Sequence, residues 1–497
     1  MEVEVAVVSR AVVIGGGVGG LAVAARLARM RHDVTLVERS DTVGGKLGEW
    51  ERDGFRFDTG PSLVTLPATL RDLFLKTGKP LEDVLDLRPL ELLARYRFPD
   101  GTRMDLPNTG VHGIASAFQD ALGGSAGADW SRFHERAERT WSVARTPFVE
   151  SPLDGPASLA RLAARRPLDM WRIAPWRTLR DVGRSSFDDP RQALFLDRYA
   201  TYTGSDPRRA PAVLSVVPYV EHTFRGWYVP GGLRRIADVL RERAELRKVR
   251  VVTGAEVVRI SLSDGRVDGV ELHDGSRIDA DIVVSDVDAR VLYEHLVARP
   301  DLMRPLRRAT PSLSGFVLML ALRDRRPMAH HTVLFGADYD AEMDAVFGPD
   351  VRPADDPTIY ISAPADAADG GHEAWFVLAN AARHGTGPGC VDWDAPGVAS
   401  AYAARILDLL ADRGHDVRDR LLFAEHRSPA DLERETNSPG GAIYGTSSNG
   451  WRAAFLRPAN RSPVPGLFLV GGSAHPGGGL PMVLMSAAIT AELIGRA

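Results

Sequence analysis

Apolar and glycine-rich runs alternate along the N-terminal part of the chain and assign its elements one after another. Ala11-Val12-Val13-Ile14 is short, apolar and β-branched, as expected of a strand buried on both faces of a parallel sheet. The turn Gly15-Gly16-Gly17-Val18-Gly19-Gly20 follows, then a helix predicted over Leu21–Met30 and a second apolar strand, Val34-Thr35-Leu36-Val37. Asp53–Asp58 reads as a short strand, and Arg95–Leu106 as a hairpin around Pro99-Asp100-Gly101. Residues 110–220 carry mostly helical periodicity, punctuated by Pro175, Pro190, Pro207 and Pro211. Sheet patterning returns at Val249–Val252 and Val257–Ile260, with Asp-Gly turns at 264–265 and 274–275, and again at Ile282–Val284. Strands are also predicted at Gly315–Leu322, Trp375–Asn380 and Leu467–Val470, with a closing helix over Pro481–Ile494.

The first turn carries chemistry as well as structure. Gly15, Gly17 and Gly20 fit G-x-G-x-x-G, in which glycines permit a tight turn and close approach of backbone to a pyrophosphate. The helix that follows offers free N–H groups and a positive dipole end to phosphates. Glu38 ends the second strand 18 residues after Gly20, where a carboxylate accepts ribose hydroxyls and repels a 2′-phosphate. These features predict a dinucleotide site for NAD or FAD rather than NADP. Reading residues 11–28 as a membrane span fails on five glycines, on Arg26 and on length.

Composition narrows the setting. A chain of 497 residues with net charge −4 gives no reason to expect nucleic acid as a partner. Cys390 is the only cysteine, so the chain has no internal disulfide and no multi-cysteine metal site, and no metal is expected. That fits a reducing cytoplasm, the protein being free or peripheral on the inner face of the membrane. Residues 161–184 hold seven arginines (161, 165, 166, 172, 177, 180 and 184) against Asp169 and Asp181, interleaved with Met170, Trp171 and Trp176. Such a run suits an anionic membrane surface, and equally a solvated helical face with two core tryptophans.

Gly44-Gly45-Lys46, together with the Asp58-Thr59-Gly60-Pro61 loop, adds a second glycine pair that a plain NAD domain does not require. This spacing resembles the flavoprotein superfamily of amine oxidases, protoporphyrinogen oxidases and carotenoid desaturases. The closing stretch Leu467–Pro481, with Gly471-Gly472-Ser473-Ala474-His475-Pro476-Gly477-Gly478-Gly479, is similar to the flavin-binding motif of bacterial-type carotenoid desaturases. Phe57–Ser62, Trp227–Gly232 and Ser285-Asp286-Val287-Asp288 match further pieces. Met482, where typical phytoene desaturases carry glycine, looks more like members acting on hydroxylated or already conjugated carotenoids.

The resemblance implies an α/β fold: a Rossmann-like FAD-binding domain of the glutathione-reductase type, an inserted mixed α+β substrate domain and a helical lid. The FAD-binding domain would comprise 1–66, 229–292 and 440–497, the substrate-binding domain 67–110 and 293–439, and the helical part 111–228. FAD contacts are implied at Gly15, Gly17, Gly19, Gly20, Glu38 and Arg39, at Gly45, Lys46, Gly60 and Pro61, and at Val257, Gly472, Ser473 and Met482. The implied reaction is desaturation of a carotenoid or related long apolar polyene, hydride passing to flavin and then to a quinone or oxygen. A carotenoid oxidase or isomerase, an amine or porphyrinogen oxidase, and a prenyl-protein chaperone without flavin chemistry are the other readings. His475 is the candidate acid/base or orienting group near the ring, or a loop histidine bonded to backbone. Glu150, Glu221 and His222 are candidates to line the substrate cavity, and His330-His331 read as structural or solvent-facing.

Overall fold

The computed structural model describes residues 9–152, 164, 169, 172–450, 453 and 457–497. Five strands drawn from the whole length of the chain form one parallel sheet, in the order Leu467–Leu469, Ile282–Ser285, Arg10–Ile14, Asp33–Val37, Arg250–Val252. Val12 lies between Val283 and Thr35 in register. Alternation of side chains along a strand sends Ala11 and Val13 to one face and Val12 and Ile14 to the other. The first face packs with Leu21, Ala25, Ile236, Leu240 and Leu484 of three helices, Val18–Arg29, Arg234–Leu246 and Leu480–Ile494. The second packs beneath the antiparallel sheet Val257–Ser263, Arg266–Leu272, Arg277–Asp279 and the Leu292–Leu296 turn. Burial on both faces explains the uninterrupted apolar run that marked the first strand.

A second sheet of seven strands lies in the order Leu421–Arg427, Ser314–Leu322, Glu373–Ala381, Ile359–Ser362, His331–Leu334, Leu92–Arg97, Arg103–Pro107. Only the His331–Leu334 and Leu92–Arg97 pair is parallel. One face is covered by the helix Val398–Asp412, through Tyr402, Ile406 and Leu409 against Phe316, Leu318 and Ile361. Helices between 111 and 224 surround Trp130, Phe118, Phe133, Phe187 and Phe195.

Several sequence expectations shift. The first helix begins at Val18, so Gly19 and Gly20 lie within its first turn, with extended Gly17 as its cap. The closing helix begins at Leu480, with Pro481 second; a missing N–H costs nothing at either position. Glu49–Arg52 is a strand that the sequence reading did not name, paired with Phe55–Asp58. In the arginine-rich stretch, Arg161, Arg165, Arg166, Met170 and Trp171 lie outside the described residues. Arg180 is turned inward: its side chain is 11% exposed and pairs with Asp197 at 2.6 Å and Asp340 at 2.5 Å. Arg177 donates to the Asp181 carbonyl and to Ser185 Oγ. No helix among the described residues is long and apolar enough to cross a membrane, and none of their His, Cys, Asp and Glu side chains group as metal ligands.

Candidate active site

One cavity of about 1060 Å³ runs from the glycine turn, past the closing loop, to the wall formed by the seven-stranded sheet. Its first end is built from backbone. Gly15 takes φ +99°, a left-handed value that glycine alone adopts without strain. A Cβ on Gly20 would collide with the Gly15 carbonyl, and one on Gly17 or Gly19 would come within 2.5 or 2.6 Å of the Asp286 carboxyl. Gly44 N–H donates to the Gly16 carbonyl at 2.8 Å, so the second glycine pair closes directly on the first turn. A Cβ on Gly60 would collide with the Lys46 carbonyl, which explains the glycine in the Asp58–Pro61 loop.

Charge is arranged around this cradle. Glu38 is 9% exposed; its Oε2 accepts from Gly16 N–H at 2.6 Å and its Oε1 from Ser40 N–H at 2.8 Å. Each oxygen keeps a lone pair, and the carboxylate borders the cavity. Asp286 Oδ2 accepts from Gly20 N–H at 2.9 Å. Burial pushes the Asp286 carboxyl up to about 7; the Gly20 N–H opposes this, the Glu38 charge adds to it and Lys46 opposes it. Lys46 Nζ donates to the carbonyls of Ala442 and Ile443 at 3.0 and 2.8 Å, and burial lowers its ammonium to about 8. Arg39 Nη2 donates to the Arg434 and Glu435 carbonyls, both at 2.8 Å. The two cations expected at the cofactor thus staple the nucleotide-side loops to residues 434–443.

The closing loop supplies the other end. Gly478, Gly479, Leu480 and Val483 face the cavity at the start of the last helix, whose N-terminus directs partial positive charge there. Arg457, absent from the sequence reading, holds this loop by donating to the Gly472 carbonyl at 2.6 Å and the Thr446 carbonyl at 2.6 Å. Ser473 Oγ accepts from Ala289 N–H at 3.1 Å. Beyond the loop, the wall turns apolar with Leu313, Val317, Phe376, Leu378 and Ile443.

The structure brings most of the expected positions to one cavity: Gly15, Gly17, Gly19, Glu38, Arg39, Gly45, Lys46, Gly60, Pro61, Val257, Gly472 and Ser473 all line it. Gly20 and Met482 do not. Gly20 acts from behind the turn through Asp286, and Met482 is half-buried in the first turn of the last helix. His475 also stays out of the cavity: it is 4% exposed, and its Nε2 donates to the Ser151 carbonyl at 2.9 Å. Burial lowers its ring to about 4, so it is neutral at physiological pH. Glu150 pairs with Arg145 at the surface, while Glu221 and His222 are buried around the Tyr199 hydroxyl, at 2.8 and 3.1 Å; none of the three lines the cavity. His331 is buried rather than solvent-facing, its Nδ1 accepting from the Tyr360 hydroxyl at 2.6 Å.

A family profile described as flavin-containing amine oxidoreductase matches residues 18–495, nearly the whole chain. The chain belongs to this family. As a member it is an FAD-dependent oxidoreductase, and the cradle fits that cofactor: bare backbone at Gly15, Gly17, Gly19 and Gly45 borders the cavity, and the Glu38 carboxylate stands beside it. Similar curated proteins include a 4,4′-diapolycopene oxygenase from Methylomonas sp, 32% identical with 98% of each chain covered. A 1-hydroxycarotenoid 3,4-desaturase from Flavobacterium sp. (strain P99-3) is 31% identical, covering 98% of this chain and 99% of that one. A hydroxyneurosporene desaturase from Rubrivivax gelatinosus is 32% identical, over 98% of this chain and 93% of that one. Among solved structures, putrescine oxidase bound to putrescine shares the fold of this family at TM-score 0.65 and 16% identity, covering 98% and 99%. An oxidoreductase from Methanosarcina mazei does so at TM-score 0.60 and 18% identity, covering 97% and 100%.

Proposed function

We propose that this flavoprotein dehydrogenates a C–C bond of a carotenoid or related long polyene. The observation that carries the reading is full-length similarity, near 30% identity, to proteins whose names place their chemistry on carotenoids. The cavity agrees, since it continues from the glycine cradle to the apolar side chains Leu313, Val317, Phe376 and Leu378. FAD, when bound, supplies the hydride acceptor. The chain's own residues then bind, orient and keep water away. Gly15, Gly17 and Gly19 with Glu38 would hold the nucleotide, Gly472, Ser473 and the last helix's N-terminus the ring end, and the Leu313, Val317 and Leu378 wall the polyene. Positive charge from that N-terminus favours the reduced, anionic ring.

The division into an FAD-binding part (1–66, 229–292, 440–497), a substrate part (67–110, 293–439) and a helical part (111–228) goes with this reading. So do reoxidation by a quinone or oxygen and peripheral contact with a membrane that stores the substrate. Oxygen insertion is the second reading, favoured by the oxygenase names among the relatives.

Purified protein should show flavin absorption after incubation with FAD. Expression in cells that make defined carotenoids, followed by chromatography and mass spectrometry of the pigments, separates the two outcomes. Loss of two hydrogens with a lengthened chromophore supports desaturation, and gain of oxygen supports the second reading. Unchanged pigments across hydrocarbon and hydroxylated substrates would refute both.

A further inference from the structure

Arg198 is the last residue of the helix Pro190–Arg198 and is 9% exposed, yet it lines the cavity. Its Nη1 donates to the Tyr202 hydroxyl at 3.1 Å, and its guanidinium stands over the rings of Tyr202, at 5.3 Å, and Tyr360, at 5.9 Å. Among the described residues no carboxylate lies within 4.0 Å of it. The buried Glu221, which the charge of Arg198 reaches, receives the Tyr199 hydroxyl. A guanidinium has five N–H donors, and this one borders the cavity with one of them given to Tyr202.

The surroundings repeat the pattern. Tyr360's hydroxyl bonds His331 Nδ1 and Ser62 Oγ, and Ser62 also borders the cavity. Ser62 lies in the loop of Gly60, and the charge of Arg198 reaches Tyr444, whose ring packs on Gly478 of the closing loop. This polar corner therefore lies where the Gly60 loop and the closing loop meet the seven-stranded sheet, in which Tyr360 is paired with Leu378.

A desolvated cation facing only hydrocarbon is costly, because it loses water and gains no acceptor. A pure hydrocarbon polyene would leave the donors of Arg198 unmet. An oxygen on the polyene would satisfy them, and a site built around such a bond discriminates strongly against the analogue that lacks it.

We propose that Arg198, supported by Tyr202 and Tyr360, is the specificity-determining residue that binds an oxygen function (hydroxyl, carbonyl or carboxylate) of the polyene. This rests on the carotenoid reading above and assigns its selectivity to one side chain.

The test uses FAD-loaded wild type, Arg198→Leu and Arg198→Lys, with matched hydroxylated and hydrocarbon polyenes, and reads polyene Kd from quenching of intrinsic fluorescence. FAD Kd and the flavin spectrum are measured in parallel. Arg198→Leu should lose about ten- to a hundredfold in affinity for the hydroxylated polyene, with hydrocarbon binding unchanged or tighter and FAD Kd unchanged. Arg198→Lys should recover part of the loss, and it keeps the test open if the leucine variant does not fold. Equal loss for both polyenes, or a changed FAD Kd or flavin spectrum, would overturn the proposal and assign Arg198 to the fold or the cofactor. Wild type that binds neither polyene overturns the carotenoid reading itself, and this proposal with it.

Discussion

Asp286 places a carboxyl inside a cradle meant for phosphates, and its replacement by asparagine has a calculable effect. The side chain is wedged among Gly15, Gly17, Gly19 and Gly471, accepts Gly20 N–H, and faces Glu38 and Lys46. Its pKa lies at about 7, against the usual 3.8. Between those two values the folded chain keeps a proton that the unfolded chain releases. Stability therefore falls as pH rises through that window, and the full penalty stands above pH 7. At about 1.4 kcal/mol per pH unit the ceiling is about 4 kcal/mol. The carboxyl borders the cavity and keeps part of its hydration, so about 1–2 kcal/mol is the expected size. Asparagine preserves shape and the acceptor for Gly20 while removing the charge.

Flavin-free Asp286→Asn should therefore melt roughly 1–2 °C above wild type at pH 8, the difference closing near pH 4. The cofactor amplifies the contrast. Phosphates brought to the glycine turn raise the carboxyl further, so FAD binding above pH 7 takes up a proton. Wild-type FAD Kd should then rise by up to about tenfold per pH unit between pH 7 and 9, while that of the variant should rise less steeply, by the part that Lys46, lowered to about 8, contributes. Flavin fluorescence titrations across pH 6–9 measure this. Parallel pH profiles, or weaker FAD binding by the variant at pH 9, would refute the reasoning and make the ionised carboxylate a needed acceptor.

Other sites yield separate outcomes. Gly20→Ala drives a Cβ into the Gly15 carbonyl, so the purified variant should lose its flavin absorption even where it stays folded by circular dichroism. Lys46→Met strands the Ala442 and Ile443 carbonyls; it should cost about 1–3 kcal/mol and speed FAD release, read as lower melting temperature and faster loss of flavin on dilution. His475→Gln keeps a donor for the Ser151 carbonyl, so kcat and its pH profile should stay within about threefold of wild type, with about 1 kcal/mol lost in stability. A larger fall in kcat with flavin intact would return His475 to the reaction.

What could be read along the chain was local. The strand, glycine turn, helix and Glu38 sit within 28 residues, and each is dictated by sterics or by period, so spacing alone exposed them. The closing loop was legible for the same reason, except that its helix begins at Leu480, one residue before Pro481. Direction across the fold was not legible. His475 is turned from the cavity by a carbonyl 324 residues away, Asp286 meets Gly20 across 266, and Lys46 spends its charge on carbonyls 396 and 397 residues on. In each case residue type announced a capacity, and a distant partner decided its use. Arg198 carries the point furthest. In sequence it is one arginine among many, with Asp197 its chain neighbour, and nothing in the pattern singles it out. The fold gives Asp197 to Arg180 and leaves Arg198 facing the cavity, its charge held among tyrosines. A cation kept in that position at the cost of its desolvation fits an enzyme whose substrate brings oxygen to it, and poorly one whose substrate is hydrocarbon throughout.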